Sequence, residues 1–433
     1  MRSLSERWQS QKLTRDIVYT LASFVVLALS GIVINLVIAR SRDAAALGVF
    51  NQAYAVYIIA SQLATLGLHY SVLRHAALHN TDALQRGRLL WTAGVCALGL
   101  GLTAAVVVGA GGAVFTRLFD SAATGSAIAY SASGLVLFSL NKVLLAYLNG
   151  LRMMKAFSLL QASRYLVVMG CVTAVALSPW PIERSTLAFF VAEATTCAGA
   201  LAFLWRRGHI RLFAFDRGWL STHLRFGSKG LAAGMFAEFN SRIDVLLIGV
   251  FLPDREVGIY SFAAMMVDGL YHVLAMIRLN FNPLLVIVLR DKDEARARQL
   301  RAQSQRLVVP ATLLLSGVAV AALWVLATYI APHKGLLEGM PSLLILLTGL
   351  TLVSAFVPFD NLLMISGHPG YQTAQQLITV SANALVAVLL LPPLGIAGAA
   401  AGTALSYVVG VAALLWFSPR VLGWNLLTNR FKT

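Results

Sequence analysis

Ala46-Leu47-Gly48-Val49-Phe50 and Glu256-Val257-Gly258-Ile259-Tyr260 stand 210 residues apart, each near the opening of a long apolar run. The same shift lays Ile38 on Ile248 and Ala53 on Ala263. An offset of 217 lays Leu148-Asn149-Gly150 on Ile365-Ser366-Gly367 and Lys155-Ala156 on Gln372-Thr373; one of 211 lays Trp205 on Trp416. Loop insertions between duplicated halves produce offsets that drift by only a few residues. The competing explanation is chance likeness between apolar helices, and the glycine-aliphatic-aromatic placements at loop edges argue against it. The matched segments lie an even number of apolar runs apart, so both halves have the same orientation. That is a parallel repeat about an axis along the membrane normal, with a cavity at its interface.

The rest of the chain agrees with a membrane setting. Its 433 residues are 58% hydrophobic and 12% charged, with mean hydropathy +0.75. A soluble chain carries about 25% charged residues, so a soluble enzyme, a disordered chain and a disulfide-stapled module are excluded. A helix needs about 20 apolar residues to cross roughly 30 Å of hydrocarbon. Runs of that length occur at 17–39, 49–73, 89–111, 126–148, 158–178, 186–205, 226–250, 256–280, 307–331, 341–364, 372–392 and 396–418. The expected fold is an all-α membrane protein of 12 transmembrane helices in two six-helix lobes, 1–205 and 226–433, joined by a linker at 206–225. The first run lacks a cleavage-like end and reads as a retained helix.

Basic residues orient these spans. With the N-terminus in the cytoplasm, cytoplasmic segments collect 22 of the 34 Lys and Arg, external loops six, and the spans and their edges six. That bias predicts both termini inside and explains the net charge of +16 without nucleic acid. Arg290-Asp291-Lys292-Asp293-Glu294-Ala295-Arg296 reads as a short charged surface helix. Leu4, Trp8 and Leu13 among basic residues suggest another. Cys96, Cys171 and Cys197 show no metal-ligand spacing, and no nucleotide-binding or hydrolase motif occurs. No catalytic residue, metal or cofactor is expected.

Function must then rest on ionisable residues inside spans, which are costly and normally face a cavity. Arg225, Lys229 and Arg278 lie where snorkelling explains them, whereas Lys142 and Arg164 suit either snorkelling or cavity lining. Arg242 lies too deep to snorkel. Glu238 is four residues from it and could pair with it on one helix face; Asn240 lies between them. Asp268 and His272, also four apart, are either a proton carrier or a static pair. Glu193, Asp244 and Asp360 are further candidates for ion coupling. Gly230–Gly234 and Gly398–Gly402 are small-residue packing patterns. Pro283, Pro358 and Pro369 mark kinks or stops near span ends.

Asn240-Ser241-Arg242-Ile243-Asp244-Val245-Leu246-Leu247-Ile248-Gly249, continued by Val257-Gly258-Ile259-Tyr260 and Phe281-Asn282-Pro283, resembles the polysaccharide transporter, or Wzx-type flippase, branch of the multidrug/oligosaccharidyl-lipid/polysaccharide (MOP) exporter superfamily. The likeness covers the whole chain in topology but only these stretches in sequence. It implies a V-shaped, MATE-like fold in the bacterial cytoplasmic membrane. It also implies movement of undecaprenyl-pyrophosphate-linked oligosaccharide to the outer leaflet, with membrane lipids, a polysaccharide polymerase and glycosyltransferases as partners. Arg242, Glu238, Asn240, Arg164 and Lys142 would meet the headgroup. Lipid II flippases of that superfamily usually carry two more C-terminal helices, which are not seen here. An ion-coupled multidrug exporter of the same superfamily is the alternative. A membrane glycosyltransferase, polymerase or ligase is disfavoured, because no external loop exceeds about fifteen residues.

Reporter fusions within 206–223 and 281–306 are expected on the cytoplasmic side, and those within 112–125 and 332–340 outside. One inverted loop refutes the twelve-span arrangement.

Overall fold

The computed structural model of the chain describes residues 4–332 and 334–431, without the side chains of residues 4–14, 16, 17, 228–230, 232–234, 237 and 279. The expectations for Lys229, for the 230–234 pattern and for the side chains of Leu4, Trp8 and Leu13 lie outside the described residues. The fold is almost wholly helical. Its first half holds α1 (Leu4–Ser41), α2 (Ala44–Thr65), α3 (Leu68–Leu78), α4 (Ala83–Ala110), α5 (Gly112–Leu118), α6 (Ala122–Gly150), α7 (Met154–Leu177) and α8 (Ala188–Arg206). The second holds α9 (Arg217–Asn240), α10 (Ile243–Phe251), α11 (Asp254–Asp291), α12 (Glu294–Val325), α13 (Met340–Val353), α14 (Leu362–Ile365), α15 (Pro369–Leu394) and α16 (Ile396–Val421). A small hairpin of β1 (Trp424–Asn425) and β2 (Arg430–Phe431) follows.

Among the described residues, eleven helical stretches are long and apolar enough to cross a membrane. They account for the expected spans except 226–250, which is divided between α9 and α10 by the turn at Ser241-Arg242. Side-chain caps start several helices as their sequences require. Asp82 accepts from the amides of Leu84 and Gln85, Ser121 from Thr124, and Asp293 from Arg296. Arg42 caps the opposite end of α7, donating to the carbonyls of Val175, Ala176, Ser178 and Trp180; a cation there also suits the negative end of the helix dipole.

Two sequence readings need correction. The stretch 290–296 is not a separate surface helix. Arg290 and Asp291 end α11, Lys292 turns with φ 49°, and Asp293 opens α12, so the charges form a tight corner between two long helices. Of the kink or stop expected at Pro283, the stop does not occur: α11 continues through it to Asp291. Pro358 lies where span ten does break, in a 3-10 turn over Ser354–Phe359.

The chain divides into two compact units. The first comprises residues up to Arg42 and Val56–Gly234; the second comprises Asp43–Ala55 and Met235 onward. The first unit packs α4, α6 and α8 around Leu89, Leu144, Tyr147 and Leu204. Within it, Gly67 (φ 68°) and Gly227 bring α3 and α9 into backbone contact. Trp219 and His223 stack beside that contact, His75 meets Trp219 edge-on, and Ser71 Oγ bonds His223 Nδ1 at 2.8 Å. Burial pushes the His223 imidazole down to about 4, which keeps it neutral in this packing.

In the second unit the fully buried Trp424 stacks on Phe431 and meets Phe359 edge-on, so the hairpin covers the broken span ten. The duplicated glycines meet here. A Cβ on Gly48 would overlap the carbonyl oxygen of Asp254, and one on Gly258 that of Ala44. Positions 44 and 254 are themselves 210 apart, so the contact has the symmetry of the repeat. Gly402 of the second small-residue pattern brings α16 against the α15 backbone at Asn383 and Ala387.

Gly48→Ala and Gly258→Ala should each lower the thermal midpoint by several degrees, and Gly31→Ala, which faces open space, should not. Light-scattering melts of purified protein check this; equal midpoints for all three would remove the backbone contact as a constraint.

Candidate functional site

Each unit contains its own buried polar cluster. In the first, Glu193 on α8 is almost fully buried and is met from three other helices. Arg164 on α7 approaches its Oε1 to 2.6 Å. Asn141 on α6 donates at 2.7 Å to Oε2 and at 2.8 Å to the Glu193 carbonyl, and Tyr57 on α2 donates to Oε1 at 3.4 Å. A carboxylate in such surroundings has to be paired and hydrogen-bonded. Arg164 and Lys142 both lie over the Phe138 ring, at 4.8 and 5.7 Å. The structure therefore joins two residues that the sequence placed in different roles: Arg164, a headgroup candidate, is the partner of Glu193, a coupling candidate.

The second cluster forms around the interrupted seventh span. Arg242 occupies the cap position of α10, with φ −134°, so it does not stack on Glu238 through a continuous helical turn. Its guanidinium lies 5.1 Å from the Tyr54 ring, and Asp268, Glu238 and Asp244 are near enough to act on it electrostatically. Arg242 Nε and Asn240 Oδ1 are buried without hydrogen-bond partners.

Asp244, one residue inside α10, is buried. Tyr260 donates to its Oδ2 at 2.6 Å and the Val245 amide to its Oδ1 at 2.8 Å; Thr403 Oγ1 stands 3.4 Å from both Asp244 Oδ2 and Asn383 Oδ1. Oxygens from α10, α15 and α16 thus converge, a chemistry suited to a proton or a hard cation. Among the described residues, no group of three or more His, Cys, Asp or Glu could hold a metal ion.

His272 Nδ1 bonds the backbone carbonyl of Asp268 at 2.6 Å, so the imidazole turns to its own helix, and both side chains are solvent-accessible. Asp360 pairs elsewhere, with Arg278 at 2.7 Å, and Tyr271 accepts from the same guanidinium. Tyr57, Asn141, Asn383 and Thr403 were not among the site residues expected from the sequence, which were mostly charged, and Tyr260 entered there only as a mark of the repeat and of the family resemblance. The amides Asn141 and Asn383, set in the middle of apolar runs, were the signal available.

The arrangement of these helices is the fold of MATE-type transporters. Solved structures resemble the chain closely in fold and distantly in sequence. An inward-facing multidrug-resistance MATE-family transporter of the MOP superfamily aligns with TM-score 0.79 at 12% identity, covering 91% of this chain and 94% of its own. The lipid II flippase MurJ, in an inward closed conformation, aligns with TM-score 0.75 at 11% identity, covering 93% and 87%. A MOP-superfamily transporter from Pyrococcus furiosus aligns with TM-score 0.65 at 12% identity, covering 94% and 95%. No curated protein matches in sequence. The chain belongs to the polysaccharide biosynthesis protein family, whose model matches residues 13–280.

Arg164→Met should destabilise the protein by about 3–5 kcal/mol, because it strands a buried carboxylate. Adding Glu193→Gln should recover most of the loss. Denaturant unfolding in detergent measures both; equal losses in the single and double variants would mean that Arg164 does not neutralise Glu193.

Proposed function

We propose that this protein is a flippase for undecaprenyl-pyrophosphate-linked oligosaccharide repeats. It would carry them across the bacterial cytoplasmic membrane toward the outer leaflet for a surface polysaccharide. The proposed topology has both termini in the cytoplasm and six-helix lobes at 1–205 and 226–433 around the linker 206–225. The observation that carries the reading is Arg242, set at a break inside an apolar span with its Nε unpartnered and Asn240 Oδ1 beside it in sequence. A guanidinium fork matches phosphate oxygens, and an amide suits sugar hydroxyls. Family membership in polysaccharide biosynthesis and a fold shared with a lipid II flippase support the same class of cargo. A polymerase and glycosyltransferases would act downstream and upstream.

The reading assigns energy coupling to Asp244 with Thr403 and Asn383, whose oxygens would take up a proton or a monovalent cation. Glu193, Asp268, His272 and Asp360 are the rival carriers. The carboxylates near Arg242 favour a second reading, export of organic cations, since acids attract that cargo.

Flipping of a lipid-linked oligosaccharide in proteoliposomes separates these. Arg242→Lys should keep the protein folded and slow flipping by about tenfold or more, the fork geometry being lost. Asp244→Asn should abolish dependence on the ion gradient. Normal flipping by Arg242→Lys would sink the headgroup role, and transport of a cationic dye unaffected by lipid-linked sugar would establish the exporter.

A further inference from the structure

A cleft of about 470 Å³ opens beside the end of α8 in the first unit, lined by Trp91, Leu201, Trp205, Ile210, Leu212 and Arg206. Its volume is in the usual range for a ligand pocket of roughly 300–1,000 Å³, and its wall is apolar except for the arginine. None of its lining residues belongs to the Glu193 cluster, which lies earlier on α8.

The segment that closes the cleft is firmly seated. The aliphatic carbons of Arg211 cover Gly87, and Ile210 packs on the buried core of the unit. The amide of Asp216 donates to Thr92 Oγ1 at 3.0 Å, and Arg88 approaches the Asp216 carboxylate to 3.8 Å. On this anchored loop Phe213 takes φ 58°, in the left-handed region that a bulky side chain avoids, and the residue is 88% exposed. The ring still touches Trp91, with centroids 5.8 Å apart. Trp205 is 60% exposed beside it. An aromatic ring held outward by a strained loop residue is placed to meet the lipid interface.

Charge identifies the occupant. From Leu201 to Arg217 the chain carries Arg206, Arg207, Arg211 and Arg217 against one acid, Asp216, and Asp216 is already engaged by Arg88. Arg206 sits in the wall of the cleft, while Arg207 and Arg211 stand exposed next to it. We propose that this cleft binds one anionic phospholipid, its acyl chain between Trp91 and Trp205 and its phosphate on Arg206 and Arg211, with Phe213 inserted at the headgroup boundary. Basic residues at a membrane surface attract acidic lipids, and here an apolar slot adjoins them, which a solvated basic loop alone would lack.

Photoactivatable phosphatidylglycerol and phosphatidylcholine with identical chains, added to the full-length protein in detergent micelles, test this without reference to transport. The phosphatidylglycerol probe should label the Leu201–Phe213 segment, and the phosphatidylcholine probe should label it weakly. Arg206→Gln with Arg211→Gln should reduce that labelling by about tenfold or more, and Trp205→Ala should reduce it as well. Equal labelling by the two probes, or labelling within about twofold of wild type in the double arginine variant, would overturn the proposal. Displacement of the probe by undecaprenyl phosphate but not by unlabelled phosphatidylglycerol would make the cleft a prenyl-chain site instead. If the double variant does not fold, the wild-type protein decides. Its labelling by phosphatidylglycerol must fall as salt screens the arginines; salt-independent labelling counts against the site.

Discussion

A charge enclosed by apolar side chains has to find a partner, and the interior of both units is organised by that requirement. Removing a carboxylate or guanidinium from water costs several kcal/mol even after relaxation. Glu193 answers it with a guanidinium, an amide and a phenol drawn from three helices. Asp244 uses a tyrosine, a backbone amide at the start of α10 and a threonine. Arg278 and Asp360 answer it with each other. Such contacts tie helices together at fixed heights, which hydrocarbon packing alone would leave free to slide.

Arg242 shows the same requirement left incompletely met. The seventh span could have run as one helix, with Glu238 a turn away. Instead it breaks, setting the guanidinium over an aromatic ring with one nitrogen unpartnered. An unsatisfied buried donor is tolerated where something else completes it. Arg164, by contrast, meets Glu193 directly at 2.6 Å, and it is the nitrogen left open on Arg242 that the proposed headgroup role rests on.

The spans and the doubled plan were legible in the sequence because hydropathy and basic-residue bias are sums over windows of about 20 residues, in which local irregularities cancel. The irregularities were what that averaging concealed. Neither proline nor glycine marks the break at Ser241-Arg242. The left-handed turn at Lys292 lies in a charged stretch that reads equally well as surface helix. Arg164 and Glu193 are individually visible as intramembrane charges, but their pairing depends on how α7 and α8 rotate about their axes, which α7 in particular encodes weakly: Ser158, Gln161, Ser163 and Arg164 are spread around the helix and mark no single polar face. Glu238 and Arg242 taught the converse, since a spacing of four places side chains together only while the helix persists.

Gly48 and Gly258 set a limit on how far the two halves of the chain can diverge. Each stands where the first turn of the other's helix passes with its backbone, so the space denied to one is denied to both. Every amino-acid replacement of a glycine adds at least a β-carbon, so no missense codon at either position is silent in volume, and the atom in the way is a main-chain carbonyl rather than a side chain that can change rotamer. Loops, charges and even the site residues of a duplicated gene can drift independently after duplication. At this crossing the two copies inherit one shared constraint, and the repeat remains readable there after it has faded almost everywhere else.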